Sequence, residues 1–200
     1  MEPTGWCSWA KSSPQMRAYH DEEWGMPTAD DRRLFEKICL EAFQCGLSWS
    51  TVLVRRERLR EVFANFDIDE LGSFTQTDVE RLVADPTIIR HRKKIESVLT
   101  NARACRLLID EVQSLGAYLW SFAPTTSAIS ECGSLQSTSA ESIELSKDLK
   151  RRGWTFVGPT TMYALMQSAG MVNDHDPACP GRQRAELARA TFVWPEEARN

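Results

Sequence analysis

The stretch RRLFEKICLEAFQCG, residues 32–46, has the apolar spacing of an amphipathic α-helix and indicates the fold class. At 100° per residue its apolar positions gather on one side, as expected of a face that packs against a core. Asp30 or Asp31 can cap the start of this helix, and Gly46 can end it. The residues predicted to form the buried stripe are Leu34, Ile38, Ala42 and Cys45.

Glu41 lies in the middle of this apolar stripe. Burying an unpaired carboxylate costs on the order of several kcal/mol, so such a group takes up a proton or finds hydrogen-bond donors. Two interpretations stay open. Either a buried arginine or backbone N–H groups satisfy Glu41, or Glu41 faces a pocket and accepts hydrogen bonds from a ligand.

Helical periodicity continues along most of the chain, and no alternating apolar–polar run predicts a strand. Turn-forming residues and capping signals divide the pattern into segments. The further predicted helices run from Ser48 to about Phe63, Thr77 to Ala84, about Ile88 to Leu108, about Thr138 to Gly153, and Gly158 to Gly170. The sequence therefore predicts an all-α protein, with a Ser- and Thr-rich surface loop at 123–139.

Composition sets limits on the class of protein. The chain has 200 residues, 42% hydrophobic and 26% charged, which excludes a disordered chain and suits one large domain. No apolar run reaches the ~18–20 residues of a membrane span, and the N-terminus lacks the pattern of a secretory signal. We therefore expect no membrane partner, a cytoplasmic location and reduced cysteines. A net charge of −4 argues against nucleic acid binding over the whole surface.

The first quarter of the chain contains five tryptophan and tyrosine residues: Trp6, Trp9, Tyr19, Trp24 and Trp49. Core packing would account for most of them, because Trp and Tyr bury large areas. Alternatively, aromatic rings near the Glu41 carboxylate would suit a planar, electron-poor or cationic ring.

Four possible metal ligands lie at the two ends of the chain: Cys7, His20, His175 and Cys179. Two thiolates and two imidazoles form a closed tetrahedral zinc site with no position left for water. Such a structural zinc would join the N- and C-terminal segments as a clasp. The alternatives are a helix-end cation for His175 and a free thiol for Cys179.

Basic residues are concentrated despite the acidic net charge. The run Arg90-His91-Arg92-Lys93-Lys94 follows a predicted tight turn and opens a predicted helix, where backbone N–H groups favour anions. Two helices with such a junction predict a phosphate clamp that ignores base sequence. For the runs at 55–60 and 147–152, ordinary solvated helix faces remain the simpler interpretation.

Several long strings resemble the DNA-3-methyladenine glycosylase I family of the helix-hairpin-helix superfamily. The resemblance covers about residues 7–180, in order and with few gaps. The strings are YHDEEWG (19–25), LEAFQCGLSW (40–49), IIRHR (88–92) and VNDH (172–175).

The resemblance implies an all-α helix-hairpin-helix glycosylase domain over residues 1–180, with two packed helical subdomains and the lesion pocket between them. Residues 181–200 would form a C-terminal tail. The implied activity is that of a monofunctional base-excision repair enzyme, which removes 3-methyladenine, and less readily 3-methylguanine, from alkylated double-stranded DNA. The base would flip into the pocket before the bond is cut. We expect a monomer, nucleoid-associated if the source is bacterial.

The family's site residues fall on particular positions of this sequence. Glu41 corresponds to the pocket carboxylate, which we take as catalytic; Tyr19 and Trp49 correspond to the stacking aromatics, and Trp9 to a further pocket aromatic. The family's zinc ligands fall on Cys7, His20, His175 and Cys179. The residues expected to contact DNA are Thr87, Arg90, Arg92, Lys93 and Lys94. The family lacks the catalytic aspartate of other superfamily members, so none is assigned.

Two positions depart from the family pattern. Met16, a substrate-binding position, stands where a tyrosine lines the pocket in the best-known member, so the preference among methylated bases is left open. Pro86-Thr87 stands where the hairpin often has Ala-Gly, and Thr tolerates a left-handed backbone poorly. We therefore expect a slightly different turn.

Three alternatives remain at this point. A non-enzymatic zinc-containing helix-hairpin-helix DNA-binding protein needs the basic run at 90–94 but not Glu41. A glycosylase for a broader range of alkylpurines is compatible with Met16. A helical protein that binds a small cationic or purine ligand would show no affinity for DNA.

Overall fold

In the computed structural model, residues 5–124 and 136–195 are described, and within these ranges all regular structure is helical. This confirms the predicted all-α class. Two short 3₁₀ helices span Ser8–Ser12 and Ala64–Phe66. The α-helices are α1 (Pro14–Glu22), α2 (Asp31–Gln44), α3 (Trp49–Leu53), α4 (Arg56–Val62), α5 (Ile68–Ser73), α6 (Gln76–Ala84), α7 (Arg92–Val112), α8 (Leu115–Trp120), α9 (Ala140–Arg151), α10 (Pro159–Ser168) and α11 (Pro180–Thr191).

Helix α2 begins and ends where its sequence signals predict. The Asp30 carboxylate caps it by accepting a hydrogen bond from the Arg33 N–H, at 2.8 Å. Gly46 follows the helix with a φ of +75°, a left-handed conformation that glycine adopts without strain. The helix is buried along most of its length, so it lies at the centre of the packed domain.

Two predicted helices have different bounds in the structure. The predicted helix from Ser48 to Phe63 is two helices, α3 and α4, which break at Val54 and Arg55. The predicted helix from Ile88 starts only at Arg92, because the His91 side chain acts as its N-cap. It then continues to Val112, four residues beyond the predicted end, and stops where Gln113 is left-handed.

The turn between α6 and α7 is held by side chains rather than by a left-handed residue. Asp85 accepts a hydrogen bond from the Thr87 N–H at 2.8 Å. Arg58 of α4 reaches across and donates to Asp85 at 2.8 Å and to the Thr87 hydroxyl at 2.9 Å. Residues 85–91 lie within the described range, and none of them has a positive φ. Thr87 thus adopts a turn that needs no glycine.

The main core surrounds α2 and α7. α10 packs on α2 and on α9, and α5 packs along α7. Burial of these apolar side chains away from water is the main source of stability. The largest fully buried ones are Phe35, Phe43, Phe63, Phe66, Leu34, Ile38, Leu59, Leu71, Leu82, Ile95, Leu108 and Leu115.

The segment predicted as a C-terminal tail contains helix α11, which the sequence pattern does not predict. The helix continues past the predicted boundary at residue 180 to Thr191. Beyond it, Phe192 and Trp194 pack on Trp120, with ring centroids 4.5 and 5.1 Å away. Residues 196–200 and part of the predicted loop, 125–135 with Cys132, lie outside the described residues.

Among the described helices, none is both long enough and apolar enough to cross a membrane.

Candidate active site

A cleft of about 710 Å³ lies against α1, α2, α3 and α10. Several of the residues singled out in the sequence line it. Those from the N-terminal half are Trp9, Met16, Tyr19, Trp24, Glu41 and Trp49. Others come from α10 and the segment after it, among them Tyr163, Gln167 and Asp174. The fold therefore places the predicted carboxylate and the predicted aromatic residues in one cavity.

The aromatic residues form a wall of this cleft. The rings of Tyr19 and Trp49 lie 5.1 Å apart and are tilted by 45°. The ring centre of Trp9 lies 6.3 Å from that of Tyr19 and 5.1 Å from that of Trp24. Met16 packs with these rings in an apolar cluster separate from the main core. A cluster that lines a cleft instead of the core favours the binding interpretation of these residues.

Glu41 is 6% exposed, and burial raises the pKa of its carboxyl from 4.5 to about 8. Among the described residues, no arginine or backbone N–H donates a hydrogen bond to its side chain. Lys37, one helical turn earlier, acts in the opposite direction and lowers the pKa of Glu41. The Lys37 ammonium also lies 6.0 Å from the centre of the Tyr19 ring. Glu41 is thus a buried acid directed at a cleft.

Ion pairs support the helices behind this wall. Arg56 of α4 donates to both oxygens of Glu23 at the end of α1, at 2.6 and 2.8 Å. Arg60, on the next turn of α4, donates to Glu36 of α2 at 2.8 Å. These pairs connect α4 to the helices that carry Tyr19 and Glu41.

A second carboxylate, that of Asp174, lines the same cleft. Its Oδ2 atom accepts a hydrogen bond from the Tyr163 hydroxyl at 2.7 Å and another from the Gln167 amide at 2.8 Å. Asp174 belongs to the VNDH string (172–175) but is not among the site residues predicted from the sequence. Its two partners lie on another element, so no local pattern could have identified the arrangement.

Three of the four predicted metal ligands come together. The donor atoms of Cys7, His20 and Cys179 lie within 4.8 Å of one another, and all three residues are buried. The His20 Nε2 atom is 3.4 Å from the Cys179 Sγ atom. The fourth predicted ligand, His175, packs its ring against that of His20 with centroids 5.0 Å apart.

In each of the two histidines a neighbouring side chain binds Nδ1, so Nε2 is the ring nitrogen available to a metal. Asp21 holds the Nδ1 atom of His20 at 2.8 Å, and Asn173 holds that of His175 at the same distance. The Nε2 atom of His175 is buried and has no hydrogen-bond partner among the described residues. Gly181 packs so closely that a Cβ atom there would lie 2.6 Å from this Nε2 atom. Such orientation through Nδ1 is typical of metal-binding histidines.

The predicted DNA-contacting residues do not share one environment. Thr87, Arg90, Arg92 and Lys93 are exposed. Arg92 donates to both oxygens of Glu80, at 2.8 and 2.6 Å. Lys94, by contrast, is 4% exposed, and its ammonium donates to the carbonyls of Phe43, at 2.8 Å, and Cys45. The structure corrects the prediction for Lys94, because a side chain held inside the protein is not free to contact a phosphate.

We expect Lys94→Met to destabilise the protein by about 2 kcal/mol, since it leaves two carbonyls at the end of α2 without their charged donor. Urea denaturation measures this loss. Lys93→Met, on the exposed side of the same helix, is the control and should change the stability little. Equal stabilities of the two variants would contradict a structural role for Lys94.

The chain was compared with known proteins. The family model described as methyladenine glycosylase matches residues 9–183. DNA-3-methyladenine glycosylase 1 of Escherichia coli is 43% identical over 176 residues, which cover 86% of this chain and 94% of that protein. DNA-3-methyladenine glycosylase of Haemophilus influenzae is 41% identical over 177 residues, 87% of this chain and 96% of that one.

A solved structure shows the same fold. It is that of 3-methyladenine DNA glycosylase I from Staphylococcus aureus, reported for the structural basis of 3-methyladenine recognition. It matches with a TM-score of 0.83 and 31% identity, covering 88% of this chain and 95% of that one.

Proposed function

Because this chain belongs to the methyladenine glycosylase family and is an N-glycosidic hydrolase, we propose that it removes 3-methyladenine from alkylated double-stranded DNA. We propose further that 3-methylguanine is a poorer substrate and that the enzyme is monofunctional, removing the base without cleaving the strand. The observation that carries the proposal is the buried Glu41 carboxyl beside the aromatic wall of the cleft.

The cleft suits a cationic purine. Methylation at N3 gives the adenine a positive charge, and the rings of Tyr19 and Trp49 would stack on its faces. Glu41 would accept hydrogen bonds from the N–H groups of the base. With a pKa of about 8 the carboxyl is mostly protonated near neutral pH, and an entering cation would favour its ionised form. Uncharged adenine would gain less from both contacts, so selectivity follows from the difference.

Trp9 and Met16 would complete the pocket that receives the base. A flexible thioether fills space less rigidly than a phenol ring. We therefore propose that Met16 affects the ranking of methylated bases rather than the reaction itself.

DNA would be held at the junction of α6 and α7, which we propose to be the hairpin of a helix-hairpin-helix element. Exposed Thr87, Arg90, Arg92 and Lys93 would contact the phosphates there, whereas Lys94 supports the junction from inside. A poorly paired lesion flips out of the duplex at a cost of roughly a few kcal/mol, less than for an intact pair. Phosphate contacts without base contacts allow lesions to be found in any sequence.

We propose that zinc binds Cys7, His20, His175 and Cys179. The fit rests on the three clustered donors and on the buried His175 Nε2 atom, which has no hydrogen-bond partner among the described residues. Four protein ligands leave no site for water, so the metal would stabilise the fold and take no part in the reaction.

Release of free 3-methyladenine from methylated duplex DNA, followed by chromatography, tests the proposed function. Release without strand cleavage is the expected result. Tight DNA binding by folded, zinc-loaded protein without release would instead favour the non-enzymatic DNA-binding protein. Comparable release of other alkylpurines, such as 7-methylguanine, would favour the broader glycosylase.

Arg90→Gln and Lys93→Gln should each weaken binding to undamaged duplex DNA by roughly threefold to tenfold at low salt and reduce the salt dependence. Lys150→Gln, which removes the same charge at an exposed position of α9, is the control. Fluorescence anisotropy at several salt concentrations measures both quantities. If Lys150→Gln weakened binding as much, contact at the α6–α7 junction would be excluded.

A further inference from the structure

The proposed reaction needs a second group besides Glu41. When the glycosidic bond breaks, its electron pair goes to N9 and the base leaves as neutral 3-methyladenine. The positive charge moves to C1′ of the sugar, which water must attack. Glu41, buried beside the aromatic rings with a raised pKa, is occupied by the base. The water therefore requires an acceptor elsewhere in the cleft.

We propose that Asp174 is a further catalytic residue, whose carboxylate accepts a hydrogen bond from the water that attacks C1′ and holds this water in place. The inference rests on the proposed function. Asp174 lines the cleft together with Glu41 and is half-buried there. Both described hydrogen bonds fall on its Oδ2 atom. Among the described residues, none donates to Oδ1, which leaves that atom to accept from a water.

The two donors orient this carboxylate. Tyr163 and Gln167 lie on successive turns of α10, so their polar groups reach the same side of that helix. Burial and the hydrogen bond to Asp174 raise the pKa of Tyr163, so its phenol stays protonated and donates. A carboxylate fixed by two donors is preorganised to hold a water in one direction.

The backbone that presents Asp174 is fixed as well. The chain turns sharply after α10 at Gly170, which has a φ of +72°. A Cβ atom at this position would lie 2.6 Å from the backbone nitrogen of Pro27, so only glycine fits. The turn returns the chain along α10 and brings Asp174 to Tyr163.

A water held by Oδ1 attacks C1′ and forms the new C–O bond, while the C1′–N9 bond breaks. The attacking water releases one proton to solvent. The products are neutral 3-methyladenine, an abasic sugar and one proton. No other reactant is required.

The test uses full-length zinc-loaded protein and methylated duplex DNA under single-turnover conditions. Asp174→Asn should lower the rate of base release by roughly tenfold to thirtyfold, because it removes the charge that strengthens the hydrogen bond to the water. The loss is moderate, since the cationic base leaves easily and the water participates late. Binding of free 3-methyladenine should be unchanged, whereas Glu41→Gln should lose it. Zinc content and thermal stability should match the wild type, although His175 is the neighbouring residue.

Two further variants separate catalysis from a structural role. Asp174→Ala leaves space that added formate can fill, so formate should accelerate base release by this variant and not by the wild type. Tyr163→Phe removes one donor to Asp174 and should lower the rate by roughly threefold. A wild-type rate in Asp174→Asn would overturn the inference. A loss that follows zinc content or stability, without formate rescue, would also overturn it. If wild-type protein released no base, the proposed function itself would fail.

Discussion

Glu41→Gln lowers the single-turnover rate of 3-methyladenine release by roughly 10²–10³-fold, the expected loss when one charge-assisted contact to a developing or existing charge is removed. Gln keeps the shape of the side chain but cannot become an anion beside the cationic base. The measurement is base release from methylated duplex, with binding of free 3-methyladenine as the second readout. Glu144→Gln, an exposed position on α9, is the control.

The same substitution should change how stability depends on pH. The pKa of Glu41 is about 8 in the folded protein and ordinarily 4.5, so the folded chain holds an extra proton between these values. The contribution of the protonated Glu41 carboxyl to the free energy of unfolding is therefore fully present below pH 4.5. It is lost as the pH rises through about 8. The full loss in the free energy of unfolding is about 5 kcal/mol, at about 1.4 kcal/mol per pKa unit.

Glu41→Gln does not titrate, so its stability relative to wild type should increase by roughly 3 kcal/mol between about pH 5 and about pH 8. Urea denaturation at the two pH values measures this difference. A less active but relatively more stable variant at high pH would mean that the carboxyl is kept for binding at a cost in stability. Near-wild-type base release would remove Glu41 from the mechanism, whatever the stability showed.

The sequence predicted the centre of this molecule because its signals are local. The apolar stripe, the cap at Asp30 and the stop at Gly46 fix α2 within a few residues, and they place Glu41 on its buried face. The same periodicity does not say what a buried Glu meets. Only the fold shows that Glu41 faces a cleft and that no described arginine pairs with it.

Other features depend on contacts between distant segments. The residues of the run at 90–94 are nearly all basic, but Lys94 lies on the buried side of α7 together with Ile95 and Val98. There its ammonium donates hydrogen bonds to two carbonyls at the end of α2. The role of His91 as a helix cap decides where α7 begins. Neither the burial of Lys94 nor the capping by His91 follows from composition, since both depend on which side of the helix packs against the core.

The four predicted metal ligands could be only partly derived from the sequence. Residue types alone suggested a Cys₂His₂ set, but chain separation could not show that Cys7 and Cys179 meet. The fold brings them together with His20 and seats His175 against the His20 ring. Asp21 and Asn173 orient the two imidazoles. Asp21 directly follows His20, and Asn173 lies two residues before His175. Such partners are detectable only once the ligands themselves are identified.

Cys179→Ser should abolish zinc binding and lower the melting temperature by roughly 10 °C, the shift expected for a loss of about 3–5 kcal/mol in a domain of this size. The metal would join the segment before α1 to the segment before α11, which are far apart in sequence. Without it, buried polar groups such as the His175 Nε2 atom remain unpartnered. Elemental analysis and thermal melting measure the two effects.

Cys45→Ser, at a half-buried thiol outside the cluster, is the matched control and should retain zinc and stability. Base release by Cys179→Ser, measured well below its melting temperature and corrected for the folded fraction, should fall far less than in Glu41→Gln. This contrast follows from the proposed closed site, in which four protein ligands would leave the metal no contact with the sugar, so that its removal would act on folding. A stable, fully zinc-loaded Cys179→Ser variant would refute the clasp. A Cys179→Ser variant that stays folded but loses base release would instead place the metal in the reaction, because folding would then be eliminated as the cause.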